Sequence, residues 1–336
     1  MLRSWQQPLH PLEGVGTADE LSALSRATTW INSAPLTAVN LKGKVVLVQF
    51  WTFTCINWLR TLPYIRAWAE RYGSSGLVVI GVHTPEFAFE HDLPNVRRSV
   101  SELNVKHAVA VDNEYAIWRG FNNQYWPALY LLDPQGRVRH RQFGEGKYAE
   151  SERMLQQLLM EAGARAVADG PTNVEGKGIE APADWSNLRS GENYVGADRT
   201  EGFGSPGGAA PGKRHAYTLP RELKLNQWAL AGDWTVEQGL VRLSQPDGRI
   251  AYRFHGRDLH LVMGPPAGAT PVRFRVLLDG QPPHAAHGGD VDEQGNGVAR
   301  EQRLHQLIRQ REPIVDRTFE IQFLDSGVEA FSFTFG

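Results

Sequence analysis

Cysteine is almost absent: a single one, Cys55, stands in 336 residues. One sulfur excludes an intramolecular disulfide framework and any metal site built on clustered thiolates. Long apolar runs are missing as well. No stretch approaches the roughly 18 residues that read as a membrane span. The start, Met1-Leu2-Arg3-Ser4-Trp5-Gln6-Gln7-Pro8, has neither the apolar core nor the small-residue cleavage site of a secretory leader, so the expected location is the cytoplasm. Charge of one sign is not in excess: 35 basic residues face 37 acidic ones, for a net −2. That balance argues against nucleic acid or an anionic membrane surface as the main partner. What remains is the composition of a globular protein, long enough for two separate cores. The 10 tryptophans either fill those cores or offer rings to a ligand, and core is the ordinary fate of such large side chains.

The first half alternates strands with helices. Val45–Trp51 is continuously apolar and β-branched, the pattern of a strand buried on both faces. A helix follows from about Cys55 to Arg71, with Leu59, Leu62, Ile65, Trp68 and Ala69 at helical spacing and Pro63 placed to kink it. Leu77–Val82 is the next strand, 86–104 an inserted helix with loops, Ala108–Asp112 a short strand and Glu114–Phe121 a helix. Ala128–Asp133 and Val138–Phe143 form a hairpin across Pro134-Gln135-Gly136-Arg137. Ser151–Ala162 closes the domain as an amphipathic helix. The order β-α-β-α-β-α-β-β-α suits a thioredoxin-like α/β sandwich with an insertion. Residues 164–192, rich in Gly, Pro, Asn and charge, read as a linker. From residue 193 onward, short strands such as Arg249–Phe254, Asp258–Val262, Val272–Asp279, Thr318–Leu324 and Ala330–Phe335 indicate an all-β sandwich. The domain boundaries are therefore 1–163, 164–192 and 193–336.

Cys55 sits where the strand Val45–Trp51 turns into the helix. A sulfur at a helix N-terminus faces unsatisfied backbone N–H groups and the positive end of the dipole. Both favour the thiolate, so the thiol pKa is expected to lie below that of an ordinary cysteine. Three residues on, where a Cys-x-x-Cys motif would place a resolving thiol, stands Trp58. No internal disulfide can form. Trp126-Pro127, just before a strand, is a candidate cis peptide, and such a proline beside the thiol would align an extended substrate chain. Trp51, Asn57, Trp58 and Trp126 are the residues expected to line the site, and His83 lies at a strand end facing it.

The segment Phe50-Trp51-Thr52-Phe53-Thr54-Cys55-Ile56-Asn57-Trp58-Leu59-Arg60-Thr61-Leu62-Pro63-Tyr64 resembles the active-site stretch of DipZ-type and TlpA-like redoxins. The similarity continues through Gly81-Val82-His83-Thr84-Pro85-Glu86-Phe87, Tyr125-Trp126-Pro127-Ala128 and Phe143-Gly144-Glu145-Gly146. It resumes at Phe319–Asp325 and at Phe331-Ser332-Phe333-Thr334-Phe335-Gly336. The resemblance implies a thioredoxin fold joined to a C-terminal β-sandwich like a carbohydrate-binding module (a jelly roll). It makes Cys55 the nucleophile and Pro127 the cis-proline. It also implies a membrane electron-transfer domain, which this sequence does not contain. Gln49 stands where thioredoxin keeps a buried aspartate that serves the resolving thiol. Its loss either accompanies the loss of that thiol or reflects relatives that never used an acid there.

Three functions follow. The first is thiol–disulfide exchange, oxidoreductase or isomerase, through mixed disulfides on one sulfur with protein or small-molecule thiols as partners. The second is a one-cysteine peroxidase, because Thr52-x-x-Cys55 imitates part of a peroxiredoxin signature; Val48 stands where that signature has proline, and no arginine is evidently placed for a peroxide. The third is a non-catalytic binding protein whose sandwich takes a sugar or peptide, with Trp228, Trp234 and Tyr252 as stacking rings if exposed and as core otherwise. Asp290–Glu301 matches much of a calcium loop but lacks flanking helices and a good fifth ligand at Gln294, so a polar turn is the better reading. No metal site and no cofactor is expected.

Overall fold

The computed structural model describes residues 20–165 and 167–336. The stretch Met1–Pro8, read above for a leader, lies outside the described residues. Contacts divide the chain into two units, the first ending at Val174 and the second beginning at Glu175.

In the first unit α1 (Glu20–Ala23), β1 (Thr29–Ile31) and α2 (Ala38–Leu41) precede β2 (Val45–Trp51). Then come α3 (Ile56–Tyr72), β3 (Leu77–His83), α4 (Leu93–Glu102), β4 (Ala108–Val111), α5 (Ala116–Gly120), β5 (Ala128–Leu132), β6 (Val138–Phe143) and α6 (Tyr148–Glu161). The sheet order is β1-β4-β3-β2-β5-β6, with β2, β3 and β4 parallel and the outer pairs antiparallel. β2 is central and wholly buried. Val46, Val48 and Phe50 pack on one side with Ile80, Val82 and Tyr130; Val45 and Leu47 pack on the other with Ile65, Trp68, Leu131 and Leu158. Two covered faces explain the uninterrupted apolar run, and each such side chain contributes about 1.5–3 kcal/mol by burial. α3 continues through Pro63. β1, α1 and α2 were not expected: at three or four residues each they are too short to show a period.

The stretch expected as a linker is largely pinned. Gln156 donates to the carbonyls of Ala168 and Gly170, and the Thr172 amide donates to Glu152 at 2.8 Å. Further on, Arg309 and Arg257 donate to the carbonyls of Gly178 and Pro182. Polar bonds hold this segment, and hydrophobic periodicity does not report them.

The second unit is all β: β7 (Asn193–Tyr194), β8 (Arg214–Tyr217), β9 (Trp228–Val236), β10 (Val241–Leu243), β11 (Gly248–Phe254), β12 (Asp258–Gly264), β13 (Val272–Leu278), β14 (Asn296–Ala299), β15 (Arg303–Arg309), β16 (Arg317–Phe323) and β17 (Glu329–Phe335). They form one antiparallel sheet along β14-β13-β16-β11-β9-β10-β17-β12-β15, with β7 on β17 and β8 on β9. β9 makes the corner. Its first half pairs with β11 and its last three residues with β10. Between them Gly232 has φ 94°, where a side chain is strained. The two halves close on one core, with Tyr252 and Phe333 centroids 4.9 Å apart and Phe319 and Phe333 6.0 Å apart. The expected two-layer arrangement is thus made by a single curled sheet. Trp228, Trp234 and Tyr252 all lie inside that core. In the calcium-like stretch, Asp292 accepts from the amides of Gln294 and Asn296, and Asp290 binds Arg303 and the Gln306 amide. It is a turn leading into β14.

Candidate active site

The carboxyl end of β2 and the amino end of β5 coincide. Phe50 pairs with Ala128, which sets the Trp126-Pro127 loop beside Trp51 and the turn that leads to Cys55. The Trp126–Pro127 peptide is cis, and the Pro127 carbonyl accepts from the Gly144 amide at 2.8 Å. Neither main-chain polar group of Trp126 has a partner among the described residues. Its indole donates to the Thr84 carbonyl at 3.0 Å and lies against Trp118, leaving the residue half-exposed.

Cys55 is the N-cap of α3, half-buried, and its sulfur makes no capping hydrogen bond to the first turn. Its amide donates to the Thr52 carbonyl at 3.2 Å and its carbonyl accepts from Leu59 at 3.0 Å. Asn57 is half-buried on the same turn. Trp58 and Trp51, expected to line the site, are instead fully enclosed and stacked at 4.1 Å with an 18° angle. The Trp51 indole lies across β3, with Nε1 2.7 Å from where a Cβ on Gly81 would be. Trp58 Nε1 donates to Gln49 Oε1 at 3.2 Å, Gln49 Nε2 donates to Thr61 Oγ1 at 2.7 Å, and Thr61 Oγ1 donates to the Trp58 carbonyl at 2.7 Å. The residue in the place of a resolving thiol and the residue in the place of a buried acid are therefore bonded to each other. The two departures noted in the sequence are one physical arrangement.

His83 is not at the thiol face in an available form. It is fully buried, stacked on Phe53 and edge-on to Trp51, with no partner on either ring nitrogen among the described residues. Burial pushes its pKa down to about 3, so it is neutral. Thr52, the peroxidase-like residue, is fully buried, and the helix arginine Arg60 is ion-paired with Glu145 at 2.9 Å. Burial outweighs that guanidinium and raises the Glu145 pKa.

Sequence reasoning misses Glu90, in the insertion between β3 and α4. This carboxylate is fully buried. Its Oε1 accepts from the Thr54 hydroxyl at 2.6 Å and the Thr54 amide at 3.3 Å; its Oε2 accepts from the amides of Glu86 and Phe87 at 2.6 and 2.9 Å. Burial raises its pKa to about 7. An acid directly after the apolar run Phe87-Ala88-Phe89 is the one available signal.

Residues 20–158 match the Redoxin family, and residues 190–336 match the thioredoxin-like C-terminal domain family. The chain joins a redoxin-family region to a thioredoxin-like C-terminal region. It is 33% identical over 328 residues to the protein DipZ of Mycobacterium bovis, covering 97% of this chain and 44% of DipZ. The chain thus spans less than half the length of the DipZ proteins it matches. It is 25% identical over 138 residues to the thiol-disulfide oxidoreductase YkuV of Bacillus subtilis, covering 41% of this chain and 93% of that one. A solution structure of an oxidized thioredoxin-like protein aligns at 27% identity and a TM-score of 0.37, over 40% of this chain and 90% of that one. Among the described residues, no helix is long and apolar enough to cross a membrane.

Proposed function

We propose that this chain performs thiol–disulfide exchange with one sulfur. The observation that carries the reading is the place of a resolving thiol, filled by a buried Trp58 that is bonded to Gln49. The Cys55 thiolate attacks a substrate disulfide, forming a Cys55–substrate mixed disulfide and expelling the second substrate sulfur as a thiolate. A second thiolate, from the substrate or a small thiol, then attacks the substrate sulfur of the mixed disulfide and releases Cys55. Sulfur oxidation states balance, and no external oxidant is consumed. The unpartnered main chain of Trp126 supplies a donor and an acceptor for an extended substrate strand. A compartment rich in reduced small thiols, the cytoplasm, suits such turnover. Any sugar or peptide bound by the second unit must use surfaces other than Trp228, Trp234 and Tyr252.

The test is trapping. Incubated with a disulfide-bonded protein substrate, the wild type should accumulate a mixed disulfide that glutathione resolves, and Cys55→Ser should give none. If the folded wild type forms no adduct while the unfolded chain does, the exchange reading fails.

A further inference from the structure

We infer that Glu90 is a positioning residue for Cys55, coupled to it through the hydroxyl of Thr54. The inference rests on the exchange reading only for its biological meaning; the coupling itself is a property of the fold.

Glu90 accepts from four donors, the Thr52 hydroxyl also acts on it, and no cation among the described residues does. Oε2 is occupied by two backbone N–H groups, those of Glu86 and Phe87, and neither can ever accept a proton. Oε1 meets the Thr54 amide, which likewise only donates, and the Thr54 hydroxyl. When the carboxyl takes up a proton, its new O–H needs an acceptor. Among these four partners only the Thr54 hydroxyl can become one. Protonation on Oε1 reverses the bond to Thr54 and turns the Thr54 hydroxyl proton away from Glu90. Thr54 is itself buried and immediately precedes Cys55. Titration of one buried group is thereby transmitted as a reorientation, together with a unit change of charge, one residue from the sulfur.

The surroundings do not neutralise that charge. The charged group acting on Glu90 is Glu86 of its own loop, which raises its affinity for a proton further. Tyr115, from the turn before α5, donates to the Pro85 carbonyl and is held up to about 12 by burial and by Glu90, Glu86 and Asp112. His83, on the strand before the insertion, stays neutral. With the carboxyl near neutrality in its titration, ionised Glu90 opposes formation of a thiolate on Cys55, and the two groups titrate as a pair. Chain connectivity keeps carboxylate and sulfur within about 10 Å. At that separation the effect on the thiol is about one pH unit, or roughly tenfold in thiolate fraction.

The experiment is the rate of iodoacetamide alkylation of Cys55 from pH 5 to 9, in the full chain, with circular dichroism confirming the fold of each variant. The wild type should show two inflections, one near pH 7. Glu90→Gln places an amide NH2 against Thr54 and a carbonyl against the two backbone donors, reproducing the protonated pattern. It should give a single inflection and, where wild-type Glu90 is ionised and the thiol is not yet fully titrated, roughly tenfold more thiolate; below the Glu90 transition the two should coincide. Thr54→Val should weaken the inflection near 7, because only the through-space charge then couples the two groups, and Thr54→Ser should keep it. A merely structural role would move the rates of all variants without removing one inflection. Identical profiles in wild type and Glu90→Gln overturn the coupling and leave the exchange reading standing. Failure of mixed-disulfide trapping with the two-inflection profile intact does the reverse.

Discussion

Restoring a thiol at position 58 tests the geometry of the site directly. Trp58→Cys removes an indole that is fully buried, stacked on Trp51 and bonded to Gln49. Truncating a buried ring of this size costs about 3–5 kcal/mol, and Gln49 Oε1, left without its donor, adds about 1–3 kcal/mol unless water reaches it. A domain has only about 5–15 kcal/mol in hand, so the variant should fold but with a much lower urea midpoint. Trp58→Phe keeps a ring and loses only the hydrogen bond; it should fall about 1–3 kcal/mol below wild type. The redox consequence is separable from the stability loss. Residues three apart on the first helical turn bring their side chains to about 5–6 Å, close to the span a disulfide needs. Folded Trp58→Cys should therefore lose two titratable thiols per chain under mild oxidation, without dimerising, and its insulin reduction with dithiothreitol should rise above wild type. If circular dichroism reports a native fold and both thiols remain titratable, positions 55 and 58 do not face each other and the assignment of Trp58 to the resolving place is refuted.

Three further outcomes follow from neighbouring residues. His83 has a folded pKa of about 3 against an ordinary 6.5, so the unfolded chain binds more protons between those values and stability falls as pH drops through that window. His83→Phe should lose about 2–3 kcal/mol less than wild type between pH 6 and 4, read from urea unfolding at each pH; equal losses would refute the buried neutral imidazole. Glu145→Gln should cost about 3–5 kcal/mol by stranding the Arg60 guanidinium, whose Nε and Nη2 have no partners among the described residues, and a urea midpoint unchanged from wild type would show the pair to be solvated. Gly81→Ala would put a Cβ 2.7 Å from Trp51 Nε1 and 3.1 Å from His107 Nε2; displacing the indole should lower the thermal midpoint, at a cost of about 1–3 kcal/mol, and shift the tryptophan emission.

What could be seen in the sequence was whatever a single element decides for itself. Val45–Trp51 showed burial on both faces because every one of its side chains is apolar or enclosed. Cys55 showed its place because a strand ends and a helix begins within four residues. The Trp126–Pro127 peptide was legible because proline alone makes cis bonds readily. What stayed hidden depends on elements meeting. Trp58 stands at the sequence position of a resolving sulfur, yet its direction, inward against Trp51 and Gln49, is fixed only when α3 packs on β2. The corner in β9 is a single glycine conformation inside a nine-residue strand, and alternation on either side of it reads as two unrelated fragments. Glu90 lies 36 residues from its partner Thr54. Taken alone, an acid between Phe89 and His91 is a surface residue of a loop. Only the closure of the insertion over the Thr52–Cys55 turn removes it from water, and that removal, not its identity, brings its titration close to neutrality. The sulfur could be found by local pattern; the groups that govern it are set by contacts across the chain, so variants at Gln49, Thr54 and Glu90 probe this site more sharply than further variants of the cysteine.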